Sequence, residues 1–195
     1  MPVRFQCFDD PPTILKQPLC VSNLSKDATG TLKPIGVRPQ RCKLPPCETL
    51  KTVHALVLRV GRHSPCDAEA NYQFGGRLTV ERLVSAFDRD GTQRGFHSGN
   101  FTWAASPALK VAGRMSGVTN VGTHRNPAFT DCQTCDARGV MEGKLCGRVV
   151  SARDPTLRGA QVIAAYRIRV EPTKEGGRGA VRAVIEGVVI RFCRG

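Results

Sequence analysis

The sequence of 195 residues is poor in aromatic residues, which make up 6% of it and include one tryptophan and two tyrosines. Domains that bind single-stranded nucleic acid usually combine clustered cations with exposed aromatic side chains on which bases stack. The cations of this chain are dispersed, and no interleaving with aromatic residues is visible. The sequence therefore does not favour that class, and nucleic-acid binding by charge alone stays an alternative.

Long apolar runs and several catalytic motifs are also missing. No segment approaches the roughly 18–20 apolar residues that a membrane-spanning helix needs. The first residues lead to Asp9 and Asp10 without the apolar segment of a secretory signal, which predicts a cytoplasmic protein. Phosphate-binding glycine loops of the P-loop or dinucleotide kind are absent, as is Gly-x-Ser-x-Gly. Neither a nucleotide cofactor nor serine hydrolysis is supported.

Acidic residues are scarce: there are 16, against 29 lysines and arginines, which gives a net charge of +13. Such a charge permits nucleic acid, an anionic surface or an acidic protein as a partner. The cations stand mostly singly on predicted strands, opposite apolar residues. That pattern favours a solvated outer face over a concentrated binding patch.

The sequence does contain segments with strand-like alternation of apolar and polar residues, in which glycine recurs at regular intervals. In segments 109–117 and 141–149, one face alternates large apolar residues with glycine, and the other face is mostly polar. Glycine inside a strand usually marks a bend or a close approach of backbones. Glycine at every fourth position of one face favours a strongly curved sheet, such as the wall of a small barrel.

Seven segments with strand-like composition are joined by short connections with turn residues. They are residues 53–60, 74–87, 94–104, 109–119, 138–150, 158–170 and 179–192. The sequence predicts an all-β fold over residues 51–195: a single antiparallel up-and-down barrel, or strongly curved sandwich, of about seven or eight strands. A change of apolar phase near Arg82 predicts a β-bulge.

Residues 1–50 differ from the rest because they contain eight of the 13 prolines. Proline is excluded from helix interiors and from central strands. This segment is predicted to be an extended, proline-rich N-terminal arm with one edge strand, lying on the barrel or on a neighbouring subunit. Self-association through the arm is the partner interaction that this prediction implies.

Nine cysteines are many for a chain without a secretory signal, where metal binding or burial is favoured over disulfides. Cys132 and Cys135 lie three positions apart in a loop that also contains His124, and Cys42 and Cys47 form a second close pair. Thiolates and imidazoles at such spacings suit a tetrahedral ion. These five residues are predicted to hold zinc or iron; a local disulfide and inert thiols are the alternatives.

The barrel interior offers a second candidate site. Alternation places His97 in phase with Phe101 and Trp103, while Tyr166 and Glu186 share the phase of apolar residues on later strands. If these three ionisable residues converge in an apolar interior, they form an acid–base site with shifted pKa values. The alternative is that they are satisfied core residues or lie on different faces.

Three functional hypotheses follow. The strand pattern is generically similar to small barrels such as lipocalins or allene-oxide-cyclase-like proteins, although architecture alone does not assign function. The leading hypothesis is a non-enzymatic barrel that binds a small apolar ligand, against Phe101, Trp103 and Met115, or serves subunit assembly, with a metal-pinned Cys/His loop. The alternatives are a cofactor-independent isomerase or cyclase that uses His97, Tyr166 and Glu186, and electrostatic binding of nucleic acid.

Overall fold

The computed structural model describes residues 19–41, 48–61, 74–88, 95–119, 139–172 and 179–193. They contain eight strands: β1 (Leu19–Arg41), β2 (Glu48–Val60), β3 (Gly76–Asp88), β4 (Gly95–Ser106), β5 (Leu109–Thr119), β6 (Gly139–Ser151), β7 (Gln161–Pro172) and β8 (Gly179–Phe192). Each strand pairs antiparallel with the next, and β8 pairs with β1, so the sheet is a closed barrel. The predicted up-and-down barrel is confirmed, and all seven predicted strands are present.

The eighth strand, β1, comes from the segment predicted to be an arm. It pairs with β8 through Leu19–Leu32 and with β2 through Ala28–Arg41, and this offset between its two neighbours is the stagger that a closed barrel requires. Among the described strands, residues 33–41 pair with β2 only, so Pro34 and Pro39 occupy an edge-like part of β1, where proline is tolerated. The remaining arm residues, 1–18 and 42–47, lie outside the described residues, and the domain division at residue 50 stays a prediction.

Side chains alternate between a mostly apolar interior and a charged outer face. On β4, His97, Phe101 and Trp103 are buried, whereas Asn100 and Thr102 are exposed. The same alternation runs along β7 and β8, where the inward positions are mainly aliphatic and the outward ones include several arginines. Removal of this apolar surface from water is the main term that stabilises the barrel.

One end of the barrel, here called the Trp103 end, is filled mainly by apolar side chains. Trp103 is fully buried, its Nε1 donates a hydrogen bond to the carbonyl oxygen of Gly75 at 2.7 Å, and its ring packs edge-on against Phe74. The β6–β7 connection at this end contains a 3₁₀ helix, Pro155–Leu157, in which Leu157 is buried. The opposite end, here called the Thr119 end, is where β5 ends and β6 begins.

The predicted bulge is present between β3 and β4. The pairing jumps from Thr79 opposite Thr102 to Val84 opposite Ser98, which leaves four residues of β3 facing three of β4. The extra residue explains why Val80 and Leu83, which differ in parity, are both buried.

The two glycine-paced segments are neighbours in the barrel, paired so that glycine faces glycine. Gly113 lies opposite Gly147, and Gly117 lies opposite Gly143. A Cβ atom at Gly117 would lie 2.0 Å from the carbonyl oxygen of Glu142, so no other residue permits this approach of β5 to β6. The predicted bending role of these glycines therefore takes the form of a close contact between two strands.

The chain carries a disulfide between Cys20 on β1 and Cys193, the residue after β8. Cys146 is also disulfide-bonded. The expectation that disulfides would be disfavoured is wrong for these cysteines. As for membrane spans, none of the described helices has the length and apolar composition needed to cross a bilayer.

Candidate functional site

The strand register places the two central residues of the site in one inward-facing row. His97 on β4 lies opposite Gly117 on β5, Gly117 opposite Gly143 on β6, and Gly143 opposite Tyr166 on β7. Because neither intervening residue has a side chain, His97 Nε2 and Tyr166 Oη reach each other across two strands and form a hydrogen bond. The two ring centroids are 5.8 Å apart.

Gly143 is the position on which this contact depends most directly. A Cβ atom there would lie 2.7 Å from Tyr166 Oη and 2.1 Å from the carbonyl oxygen of Ser116. The first contact would displace the phenol, and the second would push β5 and β6 apart. Glycine at this position thus permits both the strand packing and the His97–Tyr166 hydrogen bond.

Burial keeps both partners of this hydrogen bond neutral near pH 7. His97 is 2% exposed, and desolvation lowers its pKa to about 4. Desolvation also raises the pKa of Tyr166 above its ordinary value. A neutral imidazole has one N–H and one lone pair, and Nε2 uses one of them with Tyr166. Nδ1 is buried and has no hydrogen-bond partner among the described residues.

A second histidine in the interior has the same character. His54 on β2 is 4% exposed, burial lowers its pKa to about 4, and its Nδ1 lacks a partner within the described part of the chain. Thr52, two residues before His54 on β2, lies opposite Ser85 on β3, and Ser85 lies opposite His97 on β4. Both imidazoles therefore belong to the same half of the barrel.

Most of the buried polar residues of the interior lie in one half of the barrel. The buried polar residues of the described chain are Lys26, His54, Ser85, His97 and Thr119. Thr119 ends β5, Ser85 lies opposite His97, and Lys26 lies opposite Ile185, which is itself opposite Tyr166. His54, Ser85, His97 and Thr119 lie towards the Thr119 end. Lys26 lies towards the Trp103 end, because the next residue, Asp27, accepts a hydrogen bond from the backbone N–H of Gly61 where β2 ends.

Two of the three predicted acid–base residues meet, and the third does not. Glu186 is exposed on the outer face of β8, whereas Ile185 beside it is buried. The prediction that Glu186 points inward is wrong. β8 is apolar on both faces, so the sequence alone did not determine which parity faces the interior.

The predicted ligand-lining residues Phe101, Trp103 and Met115 are all buried in the interior. Trp103 packs within the filled end, whereas Met115 lies on β5 two residues from Gly117, close to the His97–Tyr166 pair. Contact with a ligand stays a prediction for all three. His54 was not predicted as a site residue, although it shares the parity of Leu56 and Leu58 on β2 and could have been found from that alternation.

The predicted metal ligands lie outside the described residues: His124, Cys132, Cys135, Cys42 and Cys47. Within the described ranges, no group of three or more His, Cys, Asp or Glu side chains could hold a metal ion. The zinc or iron site therefore stays a prediction.

The outer surface of the same strands carries a depression of ≈ 670 Å³. Phe96 and Val118, which are 74% and 45% exposed, supply its apolar part, and Glu142 and Lys144 contribute charged groups. Gly117 and Gly143 also line it, so the wall between this depression and the His97–Tyr166 pair is backbone without intervening side chains at those two positions.

The arrangement as a whole is a buried, neutral histidine–tyrosine pair with a second neutral histidine in the same half of a closed eight-stranded barrel. Such groups can donate and accept hydrogen bonds in an apolar surrounding. Comparison of the chain with protein-family models, with curated proteins and with solved structures finds no match.

Proposed function

We propose that the barrel is a non-enzymatic binding module for one small, mainly apolar molecule that carries a polar group. The observation that carries the proposal is that the Nδ1 atoms of His97 and His54, in the same half of the barrel, have no hydrogen-bond partner among the described residues. Buried polar atoms are nearly always hydrogen-bonded, and each one left without a partner costs about 1–3 kcal/mol. A ligand that supplies partners to these nitrogens would recover part of that cost.

The surroundings favour a ligand whose remaining surface is apolar. A second inward-facing row lies two residues along the strands from the row that contains His97 and Tyr166. It consists of the buried residues Met115, Leu145 and Ala164. Since the Trp103 end is filled, the proposed ligand would enter from the Thr119 end. Apolar lining with a few convergent polar groups is typical of small-molecule sites in barrels.

The test uses N-phenyl-1-naphthylamine, an uncharged fluorescent probe with two aromatic groups and one N–H. Because the probe has no charge, the basic outer surface does not attract it. We expect saturable binding with one site per chain, reported by an increase and a blue shift of probe fluorescence.

Two adjacent alanines of β7 provide a matched pair of variants. Ala164 is buried in the interior and Ala165 is exposed on the outer face. Ala164→Leu should weaken probe binding about tenfold by filling interior space, and Ala165→Leu should leave it unchanged. If Ala164→Leu does not fold, Ala164→Val makes the same comparison with a smaller side chain. Equal effects at the two positions, or no saturable binding to the natural sequence, would overturn the proposal.

The structure bears on two of the other hypotheses, an isomerase or cyclase and a subunit-assembly module. The isomerase or cyclase hypothesis keeps His97 and Tyr166 but loses Glu186, which is on the outer face. Subunit assembly was predicted through the arm of residues 1–50. Residues 19–41 and 48–50 of it are strands of the barrel, and the rest lie outside the described residues. Both stay predictions, and neither is needed to account for the histidine nitrogens that lack a partner within the described part of the chain.

A further inference from the structure

Four arginines form one row across the outer face of the barrel. Arg169 on β7 lies opposite Arg182 on β8, and Arg59 on β2 lies opposite Arg77 on β3. Thr29 on β1 lies opposite both Arg182 and Arg59, so the two pairs belong to the same cross-strand row. All four arginine side chains are exposed. With neighbouring strands about 4.8 Å apart, the row extends roughly 19 Å over five strands.

The placement of these arginines is unfavourable for the isolated protein. Like charges directly opposite each other on antiparallel strands are destabilising, and the row contains two such pairs. None of the four guanidinium groups forms an ion pair with a described residue, although Glu142 pairs with Arg167 at 2.8 Å on the same face. Asp27 and Glu171 lie two residues from the row, diagonally from Arg182, and neither forms an ion pair with it among the described residues. The row is therefore a concentration of positive charge within a surface where other cations are dispersed.

We propose that this arginine row binds an anionic polysaccharide. Guanidinium groups form bidentate hydrogen bonds with planar and tetrahedral oxyanions, which suits carboxylate or sulfate groups repeated along a chain. The row lies on a convex wall, so a flat membrane reaches only its centre, whereas a flexible linear polyanion follows it.

Two further observations favour a polysaccharide over nucleic acid. The exposed aromatic side chains of the described residues do not belong to the row: Phe192 lies ten residues along β8 from Arg182, and Phe96 lies three strands and two residues from Arg169, which is roughly 16 Å. Within the row itself, the described residues offer bases no ring on which to stack. The Cys20–Cys193 disulfide is also typical of proteins in oxidising compartments, where anionic glycans are encountered.

The experiment measures binding of heparin, a sulfated polysaccharide, to the full chain at several salt concentrations. The row variant is R59Q/R77Q/R169Q/R182Q. The control variant, K33Q/R82Q/R114Q/R153Q, removes the same charge from exposed positions outside the row. The row variant should bind heparin about tenfold or more weakly, with a shallower dependence of affinity on salt, and the control variant should change far less.

Circular dichroism establishes that each variant is folded, and the pairs R169Q/R182Q and R59Q/R77Q replace the quadruple variant if it is not. Equal losses in the row and control variants would show attraction by net charge only and would overturn the proposal. Tighter, row-dependent binding of poly(dT) or of phosphatidylserine vesicles than of heparin would also overturn it, in favour of nucleic acid or a membrane. Row-dependent preference for heparin supports it.

Discussion

The side chains of His97 and Tyr166 meet because the two residues between them, Gly117 and Gly143, have no side chains. The glycine spacing was visible in the sequence and correctly indicated a bent wall. The sequence does not determine the strand register. The register pairs β5 with β6 and places His97 on β4 and Tyr166 on β7 next to the glycines of these two strands. At the residue scale, the types of residue in the site were predictable and their meeting point was not.

Gly143→Ala tests the contact between β5 and β6. The added Cβ would lie 2.1 Å from a backbone oxygen, which cannot move without separating the strands, so we expect a loss of roughly 2–4 kcal/mol in unfolding free energy. Gly159→Ala is the control: its φ is +76°, but a Cβ there meets nothing within 4 Å. That control should lose about 1 kcal/mol. Urea denaturation measures both, and a Gly143 variant as stable as the Gly159 variant would contradict the close contact.

The two buried histidines predict loss of stability in mild acid. Their pKa values are about 4 in the folded chain, against 6.5 when unfolded, so the unfolded state binds more protons between these values. Stability should be complete above pH 6.5 and fall as pH decreases towards 4, by at most roughly 3 kcal/mol per histidine. Urea denaturation at steps across this range measures the slope. It should flatten in His54→Gln and His97→Gln, and an unchanged slope in both variants would contradict the prediction.

At the scale of elements, the strands that were predicted well are those with one apolar and one polar face. β5 and β8 were predicted with their observed bounds, and the bulge in β3 was found from its change of phase. β1 was only partly predicted, as an edge strand of an arm, because its prolines argue against a central strand. Pro34 and Pro39 remove backbone N–H donors, which costs less in residues 33–41 because this part of β1 pairs with β2 only among the described strands. The orientation of β8 could not be read from residues 184–190, because both of its faces are apolar there.

Arg182→Glu tests whether the arginine row stores repulsion between β7 and β8. The change converts the facing pair with Arg169 from like to opposite charge, which should stabilise the fold by about 0.2–1 kcal/mol while weakening heparin binding. Arg182→Gln, which only removes the repulsion, should be intermediate in stability. Thermal unfolding at low salt measures the order, and destabilisation by Arg182→Glu would contradict the repulsive pairing.

The whole molecule is joined at its first and last strands, both by the β1–β8 pairing and by the Cys20–Cys193 disulfide. The disulfide spans 173 positions of sequence, and cross-links over loops of this length are worth about 4–5 kcal/mol when they restrict the unfolded chain. The variant C20S/C193S should therefore unfold at a markedly lower temperature than the natural sequence. Adding reductant to this variant gives the contribution of the remaining disulfide bonding, that of Cys146 included. Unchanged thermal stability without the Cys20–Cys193 bond would contradict the prediction.

The position of β8 has a consequence for synthesis. Because β8 fills the space between β7 and β1, a nascent chain that has not yet released residues 179–192 exposes two long strand edges with unpaired backbone groups. Such edges recruit other chains, so ribosome-bound or truncated forms should be prone to aggregation. Closure of the wall is then a late event in folding, and it depends on the last fourteen-residue strand reaching the first.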